Sequence, residues 1–267
     1  MDLHHTPTPA GQEYLPEKRA LLLDYTLQLA DTSLILGHRL SEWCGHGPIL
    51  EQDLAMANIA LDLIGETRSL YQYAAELEGQ SRTEDDLAYL REAVHYKNPL
   101  LVEQPNGDFA HTILRQFLFD GYHFLLLQQL QNSPDQRLAA IAAKSFKEAS
   151  YHLKWSSEWV IRLGDGTEES KARLLKAMDH LWMFSGELFL MTETEQQLAQ
   201  AGIIPDSASL LPQWEAHVAK VFAEATLEVP QNVFMQKGGK IGRHSEHLGY
   251  ILTELQYLQR AYPGLEW

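Results

Sequence analysis

The segment DFAHTILRQFLFDGYHFLLLQQLQ, residues 108–131, decides the fold. Asp108 is a residue type favoured as a helix N-cap, and Ile113, Phe117, Phe124 and Leu127 recur at helical spacing on one stripe. One acid, Asp120, lies on that stripe between Phe117 and Phe124. Toward the C-terminus, Asn132-Ser133-Pro134 is a tight break. A second long helical pattern then runs from about Pro134 to Leu163, with Leu138, Ile141, Ala142, Phe146 and Trp159 as core candidates. Toward the N-terminus two more long patterns appear. Pro16 to Trp43 carries Leu23, Leu27, Ala30 and Leu34, and Glu51 to Leu77 carries Leu54, Ala57, Leu61, Ile64 and Tyr71. Cys44-Gly45-His46-Gly47-Pro48 separates these two, and Gly79 ends the second. The stretch before Asp108 holds a short helical piece at Glu84 to Val94, then Asn98-Pro99 and a turn at Gln104-Pro105-Asn106-Gly107.

Two long helices, a long crossover and two more long helices make the connectivity of a ferritin-like four-helix bundle. About 27 residues at 1.5 Å each span roughly 40 Å, which suits such a bundle. Further helical patterns at about Glu168 to Ala201, Ser207 to Leu227 and Ser245 to Tyr262 are expected to pack on it. The fold class is therefore all-α, a bundle with additional C-terminal helices. Residues 1–15, polar with Pro7, Pro9 and Gly11, read as a flexible tail. Residues 16–267 read as a single domain, with a core bundle at about 16–163 and accessory helices at about 166–262.

Composition narrows the function. Lys+Arg total 21 and Asp+Glu 36, a net charge of −15, which repels nucleic acid and anionic membranes. The longest apolar run, Phe124 to Leu127, is far too short to span a bilayer, and the N-terminus lacks a signal-peptide pattern. The expectation is a soluble cytoplasmic protein with neither nucleic acid nor membrane as partner. Cys44, the single cysteine, excludes an internal disulfide. Beside His46 it invites a Cys–His nucleophile reading, but a tight turn with a buried thiol is the simpler expectation.

The acids on the apolar stripes carry the chemical question. A di-iron bundle takes a Glu from each of two helices and a Glu-x-x-His from each of the other two. One acid lies inward on each long pattern here: Asp31, Asp62, Asp120 and Glu148. The histidines do not follow, because Gly65 stands three residues after Asp62 and Tyr151 three after Glu148. His152 is at i+4 from Glu148, about 100° from the required position. Three of the four acids are Asp, a methylene shorter than Glu. The expected reading is a degenerate site, its acids kept as a buried polar network paired with Arg68, Lys144, Lys147, His38, His123 or His152. A metal site on the same acids is the alternative.

Two other features stand out. Gly238-Gly239-Lys240 precedes His244-Ser245-Glu246-His247 at the start of the last helix. This segment reads as an interface or structural loop, as plain capping with Ser245 at the N-cap, or as a metal site through His244 and His247. It lacks the spacing and preceding strand of a phosphate loop. Trp155, Trp159, Trp182, Phe184 and Phe189 read as core or subunit interface.

Several stretches taken in order carry a resemblance: residues 40–46 (LSEWCGH), 57–65 (ANIALDLIG), 101–110 (LVEQPNGDFA), 147–153 (KEASYHL) and 225–231 (ATLEVPQ), with Gly238-Gly239-Lys240 and 244–249 (HSEHLG). Over residues 20–267 the chain resembles the C-type structural subunits (PaaC) of phenylacetyl-CoA epoxidase, also called phenylacetate-CoA oxygenase or ring-1,2-epoxidase. The resemblance implies a ferritin-like protein without iron ligands or cofactor of its own. It implies a homologous catalytic A subunit as partner, holding the di-iron centre. Small B and reductase E components complete a multicomponent monooxygenase that epoxidises the ring of phenylacetyl-CoA with O₂ and NADPH in phenylacetate catabolism. The expected function is that of a non-catalytic structural subunit that binds and stabilises the A subunit and can form a homodimer when alone. An autonomous metal-binding ferritin-like oxidase using the inward carboxylates is the alternative.

Overall fold

Helix boundaries follow from local chemistry. The structure, a computed structural model, describes residues 14–265. The tail expected at 1–15 therefore lies, up to residue 13, outside the described residues. Helix α1 (Pro16–Ser41) starts on a proline, whose missing N–H would be unpaired there anyway. Helix α2 (Leu50–Glu78) stops on Gly79 at φ +67°, a left-handed cap that glycine adopts without steric cost. The crossover holds α3 (Glu84–Tyr89), a 3₁₀ turn at Ala93–His95 and α4 (Leu100–Glu103). Helices α5 (Phe109–Leu130) and α6 (Gln136–Gly164) start where Asp108 and Asp135 accept the backbone N–H of His111 and Leu138, at 2.9 and 2.8 Å.

Side-chain hydrogen bonds at the two ends of the bundle fix its topology. Trp43 Nε1, just past α1, donates to Thr112 Oγ1 at 3.0 Å, so α5 begins at the end where α1 finishes. Tyr73, near the end of α2, donates to Asp135 at the start of α6, and Trp155 of α6 donates to Gln52 of α2 at 3.1 Å. Thus α2 and α5 run parallel, and α1 and α6 run opposite to them. Consecutive long helices that run parallel need a connection as long as the bundle, which residues 79–108 supply. Among the described residues there is no strand, and no helix is long and apolar enough to cross a membrane. The fold is an all-α, ferritin-like bundle.

Four accessory helices cover it: α7 (Glu168–Leu181), α8 (Glu193–Gln200), α9 (Leu211–Glu224) and α10 (Glu246–Ala261). Helices α7 and α9 pack on α5 and α6, α8 on α1, and α10 on α3 and α1. The single helix expected at Glu168 to Ala201 is broken by 3₁₀ turns between Trp182 and Phe189. Thr192 and Glu195 then cap each other's backbone and start α8 afresh. The piece expected at Glu84 to Val94 ends at Tyr89. That expected at Ser207 to Leu227 opens as a 3₁₀ turn, and α9 closes at Glu224 before Thr226 turns left-handed at φ +56°.

The largest correction concerns α2. Its stripe of Leu54, Leu61 and Ile64 faces solvent, and the buried face is Met56, Ile59, Ala60, Leu63, Leu70 and Ala74. Both faces are apolar, and α1 takes the one carrying Ala60. A side chain at Gly37 of α1 would come within 3.4 Å of the Ala60 carbonyl, so the close approach depends on small residues on both helices.

Candidate functional site

The interior of the bundle is built from α2, α5 and α6, with one contribution from α1. On α2 the inward acid is Glu66. On α5 Asp120 and His123 stand three residues apart and share a face. On α6 Ser145, Ala149, His152 and Ser156 form the inner stripe, and α1 adds Ser33. Ser33 donates to Glu66 Oε1 at 2.8 Å, and His123 Nε2 meets the same oxygen at 3.1 Å. Asp120 Oδ1 accepts from Gln116 at 2.6 Å and Oδ2 from Ser156 at 2.8 Å. His152 Nε2 lies 3.0 Å from Asp62 Oδ2.

Electrostatics divide these groups. Burial alone would raise Glu66, but the His123 imidazole, Ser33 and Ser145 hold its carboxyl down at about 2. For His123, burial opposes the charge, and Glu66 and Asp120 more than offset it, so its pKa rises. Asp120 lacks so close a counter-charge. Burial pushes it up to about 6, only partly offset by His152, Ser156 and Gln116. Glu148 is also raised, by partial burial and then by the like charge of Asp62.

Of the predicted ligand positions, Asp120 lies inside the bundle and the others do not gather round it. Asp31 is buried but faces the crossover, where Arg91 and Tyr71 donate to it and the Lys97 N–H reaches it at 2.9 Å. Asp62 and Glu148 are half-buried at the outer seam of α2 and α6. A side chain at Gly65 would meet nothing within 4 Å, and Tyr151 is 52% exposed. Arg68 pairs with Glu84 rather than with the predicted acids, and Lys144 and Lys147 are exposed. His123 and His152 do pair with carboxylates. Glu66 is the residue that sequence reading missed. Its signal was its place on the stripe of Met56, Ile59, Leu63 and Leu70, one face away from the stripe chosen. The Asp120-x-x-His123 spacing was also legible.

These residues do not fit a di-iron centre. Among the described residues only two carboxylates, Glu66 and Asp120, point into the bundle, and protein donors take them up. Where a third and fourth would stand, α1 offers Ser33 and α6 offers Ser145 and Ser156. The Nδ1 atoms of His123 and His152 are buried without a protein partner, yet among the described residues no three His, Cys, Asp or Glu side chains gather as a metal site. The cavity beside Glu66 and His123 measures about 20 Å³, the scale of one water molecule.

The segment 238–247 is a strap over three further buried carboxylates. Glu187 accepts the N–H of Gly238 at 2.6 Å and that of Leu100 at 2.7 Å. Lys240, itself buried, donates to Glu195 at 2.9 Å and to the Leu190 carbonyl at 3.0 Å. Its charge is kept despite burial by Tyr122, Glu195 and Glu187. Glu103 meets His244 Nδ1 at 2.8 Å and accepts the Ser245 N–H at 2.6 Å. His244 Nε2 reaches the Tyr96 carbonyl at 2.8 Å, so both ring nitrogens are engaged and neither faces a metal. Ser245 stands at the N-cap of α10, but its side chain makes no capping bond. Glu246 is exposed and His247 half-buried.

The remaining candidates are structural. Cys44 is exposed, contrary to the buried thiol expected, and His46 Nδ1 meets the Cys44 carbonyl at 3.1 Å rather than its sulfur. Trp182 and Phe189 pack on Trp214 with ring centroids 5.8 and 5.2 Å apart, and Trp159 packs on Phe109 at 5.1 Å. Trp155 is buried, and Phe184 is half-buried beside His180.

Comparison with known proteins adds two findings. The model of a family described as phenylacetic acid catabolic protein matches residues 6–267. A curated relative from Escherichia coli (strain K12), the C subunit of 1,2-phenylacetyl-CoA epoxidase, is 50% identical over 246 residues, covering 92% of this chain and 99% of the relative.

Proposed function

Since the chain belongs to the phenylacetic acid catabolic protein family, we propose that it serves phenylacetate catabolism as the structural C subunit of a multicomponent di-iron phenylacetyl-CoA epoxidase. Its role is to bind and stabilise a homologous A subunit that holds the iron, with B and reductase E components completing the assembly. The observation that carries this reading is 50% identity, along nearly the whole of both chains, to a relative named as the C subunit of that epoxidase. The interior supports a role without chemistry of its own. Serines at 33, 145 and 156 stand where an oxygenase would need carboxylates, and the cavity there is far too small for an aromatic thioester.

Co-expression with the A subunit tests the partnership. A stable complex on a sizing column at micromolar concentration is expected, with epoxidation requiring both chains. Separate elution would overturn it. Purification of this chain with iron available tests the absence of a centre. Near-stoichiometric bound iron would favour the autonomous oxidase instead.

A further inference from the structure

The start of α5 and the end of α7 bring two imidazoles together. His111 lies in the first turn of α5 and His180 in the last turn of α7, two helices that pack on each other. His111 Nε2 stands 2.8 Å from His180 Nδ1, with the ring centroids 5.1 Å apart. Neutral rings in that contact are joined by a single proton, so one of the two nitrogens presents a lone pair to the other. The pair has no other polar engagement. His111 Nδ1 is buried without a partner, and among the described residues neither ring bonds a carboxylate. The rings are also held in place. Gly107 turns at φ +57° against His111, where a side chain would lie 3.0 Å from the Cβ and Cγ of that histidine. Phe184 packs edge-on to His180, with centroids 6.2 Å apart. Burial, and then the Arg115 charge one turn along α5, push His111 down to about 4, so its ring is neutral. His180 is exposed, which gives an ion in solution access to the pair.

We propose that His111 Nε2 and His180 Nδ1 chelate a divalent transition-metal ion, copper(II) in preference to nickel(II) or zinc, with water in its other positions. The ion takes the place of the shared proton. The ring that held that proton carries it instead on its far nitrogen, Nδ1 of His111 or Nε2 of His180. The spacing selects the class of ion. Two metal–nitrogen bonds of about 2.0 Å set at a right angle span about 2.8 Å, whereas a tetrahedral ion needs about 3.3 Å between its ligands. A right-angled pair of imidazoles suits tetragonal copper(II), which also heads the affinity order for such ligands. Ferrous iron stands near the foot of that order, so the pair does not tie the fold to iron. A bound ion would fasten the end of α7 to the start of α5. This inference does not depend on the epoxidase reading, and either can fail alone.

Calorimetric titration of the full chain with copper(II) tests the site. His4→Ala and His5→Ala are built into every chain compared, because adjacent histidines bind the same ion. This background chain should take up one ion that His180→Gln loses. Its electron paramagnetic resonance spectrum should show coupling to two imidazole nitrogens, and that signal should vanish with either histidine. His180 is exposed, so its replacement spares the fold, and unchanged helicity checks this. Copper(II) should raise the thermal midpoint of the background chain and leave those of His180→Gln and His111→Gln unmoved. Equal uptake by the background chain and His180→Gln would overturn the proposal. So would tighter binding of zinc than of copper(II), or a thermal midpoint that copper(II) raises as much without His180 as with it.

Discussion

Asp120 is fully buried, and both its oxygens accept bonds from neutral donors, Gln116 and Ser156. Its folded pKa of about 6 lies above the ordinary 3.8, so the folded chain holds this proton more tightly than the unfolded one. The stability this supplies is complete below the ordinary value and is lost as pH rises through 6, about 3 kcal/mol for a shift of roughly two units. Asp120→Asn mimics the protonated form. It should be the more stable chain at about pH 8 by up to about 3 kcal/mol and match the wild type near pH 4. Urea midpoints at the two pH values check this, and equal midpoints at about pH 8 would sink it. Glu66 has the opposite sign. Its carboxyl, held at about 2, contributes stability above its ordinary 4.5 that is lost as pH falls toward 2. Glu66→Gln leaves His123 buried without its carboxylate and should cost about 3 kcal/mol near pH 7. A double-mutant cycle with His123→Gln should show the pair costing less than the sum of the two single changes. Strict additivity would mean that the two residues act separately.

At the level of elements, the strap at 238–245 ties the crossover to the accessory helices. Glu187 clasps Gly238 on one side and Leu100 on the other, which brings Gly239 against the crossover backbone. A side chain at Gly239 would lie 2.3 Å from the Asn98 carbonyl and 2.8 Å from the Leu100 nitrogen, both main-chain atoms with little room to yield. Gly239→Ala should therefore lift the strap and destabilise the chain by about 1–3 kcal/mol. Hydrogen exchange gives the local test. The amides of Gly238 and Leu100 should lose protection, and those of Phe117 and Leu118 in α5 should keep it. Uniform loss would mean that the strap is not a separate unit. In the sequence the segment reads as an interface or structural loop, as capping or as a metal site, and nothing local says what holds it. The three acids that hold it, Glu103, Glu187 and Glu195, are 45 to 142 residues away, and no local pattern joins them. What local chemistry dictates was legible: the Gly79 stop, the Asp108 cap and the long crossover. Helix α2 misled because two of its faces are apolar, and only the packing of α1 decides which one turns inward.

At the scale of the molecule, the charge of −15 conceals seven acids that lie buried among the described residues: Asp31, Glu66, Glu103, Asp120, Asp135, Glu187 and Glu195. All seven accept from charged or hydroxyl-bearing side chains or backbone N–H groups of other segments, and Asp120, which has Gln116 and Ser156, is the one whose donors are all neutral side chains without a backbone N–H or a Tyr among them. An interior satisfied in this way differs from a ferritin-like site that closes only round its metal. In such a site clustered carboxylates repel until the ion binds, and metal affinity becomes part of the folding free energy. Here the protein supplies its own donors, so the fold should be indifferent to metal. Thermal unfolding followed by circular dichroism, with a chelator and then with added ferrous iron, should give one midpoint under both conditions. A midpoint that falls on chelation and returns with iron would show that Glu66, Asp120, His123 and His152 open to hold an ion, and the structural role would have to share the bundle with a metal site.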